Sequence, residues 1–295
     1  MVDIVTGAPT ASVVIPARNA VAVLEGQLAA LRKQEFDGRF EVIVADNGST
    51  DDTAAVAVGW ADRIPGLQVV DASARPGISH ARNTGVAAAG GEYVLFCDAD
   101  DEASPGWVQA MVDGLKQADV VGGRLDLDTL NPPRVRAWRV DPALDRLPTT
   151  MDFLPYAIGA NIGVRTAVYR ALGGFNEAYR GSHDDVEFCW RAQLASYRLG
   201  YVPQAVIRYR LRGDLRRLAA QRYGYGLSYA QLFRQYQDLE ITSGGVGTEL
   251  RIWVGLLLQI PQMVTCTGRG RWIYQASWNA GRLRGSLRHR TLCPR

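Results

Sequence analysis

Glu92-Tyr93-Val94-Leu95-Phe96-Cys97-Asp98-Ala99-Asp100-Asp101 is an apolar run that ends in three carboxylates within four residues. Unbroken apolar strands of this kind belong to parallel sheets covered on both faces, and such sheets bind ligands outside the carboxyl ends of their strands. Carboxylates this close repel one another. A hard divalent cation, Mg²⁺ or Mn²⁺, relieves that repulsion while bridging to phosphates. The plainer reading is a solvated acidic turn leading into a helix started by Ser104-Pro105.

Ala11-Ser12-Val13-Val14-Ile15 reads as a strand closed by Pro16, and an apolar helical pattern follows from Ala20 to about Arg32. Phe40 to Ala45 is a second strand. It ends at Asp46-Asn47-Gly48-Ser49, where glycine permits a tight turn and polar side chains can cap a helix to about Ala61. Leu67 to Asp71, Gly77 to Ala89 and Tyr93 to Cys97 continue as strand, helix and strand. Alternation at this spacing argues for βαβ units and a parallel sheet. Asp46 and Asp98 then end two strands on one edge.

The 295 residues, 47% of them apolar and 21% charged, suffice for a large globular core. Cys97, Cys189, Cys266 and Cys293 lie far apart, with neither disulfide nor metal-ligand spacing, which fits a reducing cytoplasm. Met1 to Thr10 has no basic or apolar leader pattern, so no secretory signal is expected. The net charge of +3 hides an asymmetry: from Tyr201 onward fifteen arginines face four acids, a balance of +11, against −8 for the residues before. Such a tail favours a polyanionic partner. No nucleic-acid recognition motif accompanies it, so the expected partner is an anionic membrane surface and not a nucleic acid. Ile252 to Val264 is apolar but shorter than the roughly 20 residues of a spanning helix. Flanking Arg251, Arg269, Arg271, Trp253 and Trp272 suit a segment lying in the membrane interface. A buried core or dimer helix with basic ends is the alternative.

Six short pieces carry a resemblance. They are Val13-Val14-Ile15-Pro16-Ala17-Arg18-Asn19, Val44-Ala45-Asp46-Asn47-Gly48-Ser49-Thr50-Asp51, Ala81-Arg82-Asn83-Thr84-Gly85, Asp98-Ala99-Asp100-Asp101, Leu172-Gly173-Gly174-Phe175-Asn176-Glu177 and His183-Asp184-Asp185-Val186-Glu187. In this order, across roughly residues 11 to 212, the chain resembles the family-2 glycosyltransferases, inverting nucleotide-sugar enzymes of the GT-A fold. The resemblance implies an α/β, Rossmann-like GT-A fold with a mostly parallel central sheet flanked by helices, and beyond Arg212 the pattern Leu215, Leu218-Ala219, Arg222-Tyr223, Leu227, Ala230, Phe233 reads as a C-terminal helical extension. It implies a nucleotide-sugar-binding half at 1–125 and an acceptor-binding half of the same domain at 126–212. A basic helical, membrane-associated region would follow at 213–295.

The implied reaction is hexosyltransferase-type: one sugar passes, with inversion, from a nucleotide-diphosphate sugar to the hydroxyl of a glycan or lipid-linked acceptor in cell-envelope polysaccharide biosynthesis. The enzyme would be cytoplasmic and peripheral on the inner face of the cell membrane. By the resemblance Pro16, Arg18, Asn19, Asp46, Arg82, Asp98 and Asp100 hold the donor, with Asp46 accepting a hydrogen bond from the base. Asp98 and Asp100 form a DxD motif for Mn or Mg, Asp100 as ligand and Asp98 toward the ribose or the metal's water shell. Asp185 would be the general base, its anion stabilised by the helix N-terminus, with Asp184 the better helix cap. Arg82 either adds charge near the phosphates or makes a structural salt bridge, and Gly85 serves close packing.

The chain departs from the family's pattern in two places. Arg18 stands where many members have an aromatic residue before the asparagine, and its guanidinium could stack on the base instead or simply reach solvent. Arg208 stands where many have a metal-binding histidine, so either water completes the shell or Arg208 meets the phosphates. His183 is a further nearby histidine, of the kind more often structural. Asp126 to Tyr156, rich in proline, reads as an acceptor-side loop or lid, or as an ordinary crossover. Gln221-Arg222 resembles part of the Q-x-x-R-W signature of processive synthases, but the tryptophan is absent, which points to single-sugar transfer. A sugar nucleotidyltransferase would carry a glycine-rich basic loop where this chain has Pro16-Ala17-Arg18-Asn19. A non-catalytic membrane-associated nucleotide-sugar-binding protein would not need Asp98, Asp100 and Asp185 intact.

Overall fold

The computed structural model describes residues 7–139, 145–239, 241, 245–291 and 293. Pro142 of the expected lid and Met1 to Thr6 of the N-terminus lie outside them. In chain order the first half contains β1 (Ala11–Ala17), α1 (Leu24–Arg32), β2 (Phe40–Asp46), α2 (Thr53–Val58), β3 (Leu67–Asp71), α3 (Ile78–Ala87), β4 (Tyr93–Cys97), β5 (Glu102–Ala103) and α4 (Trp107–Gln117). The second half adds β6 (Val120–Asp126), α5 (Pro133–Arg136), β7 (Asn161–Arg165), α6 (Thr166–Ala171), α7 (Asp184–Leu194) and β8 (Leu199–Arg208). Three long helices close the chain: α8 (Leu215–Tyr236), α9 (Val246–Leu258) and, after a 3₁₀ turn at Ile260–Val264, α10 (Cys266–His289).

The strands form one sheet in the order β3-β2-β1-β4-β7-β6-β8-β5. β1, β2, β3 and β4 are parallel. β7 is antiparallel to both β4 and β6, and β8 is parallel to β6, so β6 and β8 run in the direction of the first four. The expected mostly parallel sheet is therefore correct, with β7 and β5 reversed. Consecutive residues point to opposite faces, as the two-residue strand period requires. Val13, Ile15, Val42, Val44 and Leu95 pack with α1 and α4, whereas Val14, Ile43, Val94 and Phe96 pack with α3, α6 and α7. Gly85 serves close packing as expected: a Cβ there would lie 2.4 Å from Val14 Cγ1.

Pro16 does not close β1, which continues to Ala17 beside Asp46. The ladder to β4 stops at Val14 opposite Phe96, so Pro16 sits where β1 is paired on one side, a position that tolerates a missing N–H. The shared strand direction places the ends of β1, β2, β4, β6 and β8 on one edge.

The C-terminal helices pack onto this frame. α8 and α10 run side by side through glycines that allow backbone contact: a Cβ on Gly226 would lie 2.1 Å from the Trp278 carbonyl oxygen, and one on Gly281 would lie 2.0 Å from that of Tyr223. α9 is pinned to α10 by the buried Arg282 guanidinium on Glu249 and by Trp272 Nε1 donating to the Leu256 carbonyl at 2.9 Å. Among the described residues no helix is long and apolar enough to cross a membrane.

Candidate active site

Asp98, Asp100 and Asp101 follow β4 directly. Fully buried Gln27 of α1 braces their turn, donating to the Asp98 carbonyl at 3.1 Å and accepting from the Ala103 N–H at 2.9 Å. One oxygen from each of the three carboxylates lies within 4.8 Å of the others. Asp101, 1% exposed, accepts from the Arg210 N–H at 2.8 Å, while its Oδ2 is buried with no hydrogen-bond partner. Burial and the neighbouring Asp98 and Asp100 push the Asp101 carboxyl well above its usual range, and burial likewise raises Asp98 despite Arg82. An orphaned oxygen among mutually repelling acids fits a divalent cation, with Asp101 joining Asp98 and Asp100 as a possible holder.

Three arginines engage this cluster. Arg82 of α3, 2% exposed, donates to Asp98 at 3.3 Å and to Asp184 at 2.7 Å. It therefore makes the structural salt bridge and joins the acidic turn to the start of α7. Arg212, beyond β8, pairs with the Asp100 carboxylate, and Arg210 Nε donates to the Asp100 carbonyl at 2.9 Å. Arg208 makes an ion pair of its own. Its partner is Glu102 at 3.6 Å, because the strand register sets it opposite that residue on β5.

α7 opens at Asp184, preceded by His183 in the left-handed region at φ 61°. Asp184 is not a cap: its side chain is buried on Arg82, and burial raises its carboxyl to about 6 against the opposing pull of that arginine. Asp185 accepts from the Gly159 N–H at 2.8 Å and, through its other oxygen, from the Val186 N–H at 2.9 Å. Burial raises the Asp185 carboxyl, and the two backbone donors and Arg82 oppose the shift. His183 is held near 4, first by burial and then by Arg222, and so is neutral.

Asp98, Arg82, Asp184 and Asp185 line one cavity of about 430 Å³. The proline-rich segment contributes Val135, Trp138, Arg139, Pro148 and Tyr156 to it, and α8 and α10 contribute Arg222, Tyr225, Tyr229, Tyr274 and Trp278. Trp138 rests on α10, where a Cβ on Gly270 would lie 2.1 Å from its ring.

Pro16, Arg18, Asn19 and Asp46 lie outside that lining, on the neighbouring strand ends. Arg18 is exposed. Asn19, at φ 50°, accepts from the Thr50 N–H at 2.8 Å and donates its own N–H to Ser49 Oγ at 3.0 Å, which stitches the β1 and β2 loops together. Asp46 accepts from Ser49 in a local turn and is not a helix cap.

This arrangement has known counterparts. Residues 12–173 match the family model for glycosyl transferase family 2. The chain belongs to that family. It is 31% identical over 257 residues to a pre-mycofactocin glycosyltransferase of Mycobacterium tuberculosis, an alignment covering 82% of this chain and 52% of that one. The chain thus spans about half the length of this relative. It is 30% identical over 177 residues to a PGL/p-HBAD biosynthesis glycosyltransferase of Mycobacterium bovis, covering 59% of this chain and 66% of that protein. Among solved structures it resembles the mannosyltransferase PcManGT of Pyrobaculum calidifontis in complex with GDP-Man and Mn²⁺ (TM-score 0.64, 21% identity, covering 95% of this chain and 88% of that one). It also resembles residues 1–349 of TarS of S. aureus in complex with UDP-GlcNAc (TM-score 0.56, 16% identity, covering 96% and 92%). At these identities the likenesses establish the GT-A fold.

Proposed function

We propose that the chain is an inverting glycosyltransferase that moves one sugar from a nucleotide-diphosphate sugar to an acceptor hydroxyl. The observation that carries this reading is the single cavity lined by both Asp98 and Asp185, which brings the acidic end of β4 to the start of α7. Asp185 is the base. Each of its oxygens takes one backbone donor, which fixes the carboxylate and leaves lone pairs for the acceptor hydroxyl. As the bond from the anomeric carbon to the acceptor oxygen forms, the hydroxyl proton passes to Asp185, and the bond to the diphosphate oxygen breaks on the opposite side. Asp184, held by Arg82, is no competitor for that proton.

Asp98, Asp100 and Asp101 would hold Mn²⁺ or Mg²⁺, which when bound neutralises charge on the departing diphosphate. Arg210 and Arg212 stand beside that position and are poised to meet the same phosphates. Pro16, Arg18, Asn19 and Asp46 form the nucleotide side, and residues 1–125 are its framework. The acceptor side comprises 126–212, with the helices of 213–295 completing the cavity. The UDP and GDP sugars bound by the fold's neighbours make these the first donors to try. With Mn²⁺ present, one nucleotide sugar should raise the melting temperature and the others should not, because a ligand that binds only the native state stabilises it by mass action. No shift with any UDP-, GDP- or dTDP-sugar would overturn the donor assignment.

The acceptor in this reading is a cell-envelope glycan or a lipid-linked sugar, met on the cytoplasmic face of the membrane. Leu250, Val254, Leu257, Leu258, Ile260 and Val264 on and after α9 are 45% to 82% exposed, so the segment is not a core helix. Exposed Arg251, Arg269 and Arg271 flank this apolar face. Basic residues near an anionic surface contribute on the order of 1 kcal/mol each and are screened by salt. The protein should therefore sediment with anionic vesicles at low salt and be released as salt rises. Val254→Asp/Leu258→Asp should stay in the supernatant while binding donor normally. Wild-type protein in the supernatant at low salt would leave a second copy of the chain as the occupant of this face.

A further inference from the structure

We propose that Arg222, with the tyrosine ring beneath it, forms an acceptor-side subsite for an oxyanion, a phosphate or carboxylate carried by the acceptor next to its reacting sugar. The proposal rests on the glycosyltransferase reading above and adds to it the charge of the acceptor.

The cavity's cations are not equivalent. Arg82 neutralises Asp98 and Asp184, Arg212 neutralises Asp100, and Arg210 faces Glu102 at 3.9 Å. Arg222 lines the same cavity, yet among the described residues no carboxylate pairs with it. Its guanidinium lies 3.7 Å from the centroid of the Tyr274 ring and 5.8 Å from that of Tyr225, and its Nε reaches the Tyr274 carbonyl at 3.5 Å. Stacking occupies the face of a guanidinium and leaves the N–H donors on its edge available, in the fork geometry that matches a carboxylate or phosphate. A cation fixed in this way and left without an acid is an anion site awaiting its ligand.

Arg222 belongs to the acceptor side. The donor's diphosphate is provided for by the acidic turn with Arg210 and Arg212, whereas Arg222 projects from α8 among rings contributed by α8 and α10. It shares the cavity with the base as well. The Tyr225 hydroxyl is held above its usual range by burial and then by Asp185 and Asp98, with Arg222 opposing, so that one hydroxyl feels both the base and this cation. Tyr and Trp rings such as the half-buried Tyr225 and Trp278 offer flat apolar faces to the apolar face of a pyranose. A sugar stacked there would carry its charged substituent to Arg222.

The test uses the full chain loaded with Mn²⁺ and its nucleoside diphosphate, with the fluorescence of the cavity tryptophans as readout. Glucose 6-phosphate, glucuronate and glucose are titrated in turn. At least one charged probe should bind about tenfold or more tightly than glucose, as a charge-assisted hydrogen bond provides. A gain confined to the phosphorylated probe assigns a phosphate-bearing acceptor, and one confined to glucuronate assigns a carboxylate. Arg222→Gln should abolish the difference at unchanged nucleoside diphosphate affinity, which also reports its folding, and Arg222→Lys should restore part of it. Equal binding of all three probes would overturn the proposal. So would an Arg222→Gln variant that loses nucleoside diphosphate affinity, because the cation then serves the donor. If wild-type protein bound no nucleoside diphosphate at all, the enzyme reading itself would fall, and this subsite with it.

Discussion

Asp185→Asn should lower turnover by about 10²-fold or more at nearly unchanged donor affinity, as loss of a general base requires. Asp100→Ala should instead weaken metal-dependent donor binding. Calorimetry with donor and Mn²⁺, together with initial rates, separates the two, and equal loss of donor affinity in both variants would sink the division of roles. The pH profile adds an independent check. In the proposed role Asp185 works as the anion, and burial holds its carboxyl above the usual range, so the rate should rise with pH along a limb displaced upward from an ordinary aspartate. That limb should vanish in Asp185→Asn. The substitution also has a structural cost. Both Asp185 oxygens accept backbone N–H groups, and an amide nitrogen facing either Gly159 or Val186 loses one of those bonds, roughly 1 kcal/mol of stability. The rate loss must therefore be measured well below the variant's melting temperature.

The first half of the fold was legible because its signals are local. Val13 to Ile15, Val42 to Ala45 and Val94 to Cys97 are short apolar runs that can only be strands covered on both faces, and their spacing leaves room for one helix each. From that alone Asp46 and Asp98 fall on one edge. The long-range parts were not legible. Arg208, Arg210 and Arg212 alternate in the sequence, but which of them meets the acidic turn depends on the pairing of β8 with β5 and on a bulge between Gly123 and Arg124. Asp101 was visible as a third acid, yet its orphaned oxygen is a property of packing. The contribution of α8 and α10 to the cavity was missed for a related reason. The basic charge of the tail and the apolar run from Ile252 to Val264 suggest a membrane surface as its partner, while the glycines that press α8 and α10 together and the Trp138 contact at Gly270 carry no periodic signal. Removing residues 247 to 295 would accordingly dismantle the cavity along with the α9 surface, so point changes on α9 are the better probe of membrane contact.

Arg82→Met should be the most destabilising of the substitutions considered, by about 3–5 kcal/mol near neutral pH, because it leaves buried carboxylates without their cation. Asp184 is 3% exposed, and burial already raises its carboxyl to about 6 with Arg82 in place, so losing that guanidinium moves it higher still. A carboxyl raised in the folded state above its unfolded value of 3.8 binds its proton more readily when folded. Its contribution to stability is therefore fully present below the unfolded value and is lost as pH rises through the folded one. The deficit of Arg82→Met against wild type should be largest at pH 7.5 and shrink by pH 5, where the variant's Asp184 takes up a proton and no longer needs a partner. Asp98, also raised by burial and otherwise paired with Arg82 at 3.3 Å, should act in the same direction. Denaturant unfolding at the two pH values measures both quantities. A deficit of the same size at both would mean that Arg82 stabilises the fold by packing, with its guanidinium 5.1 Å from the centroid of the Phe175 ring, and not by neutralising the acids that line the cavity.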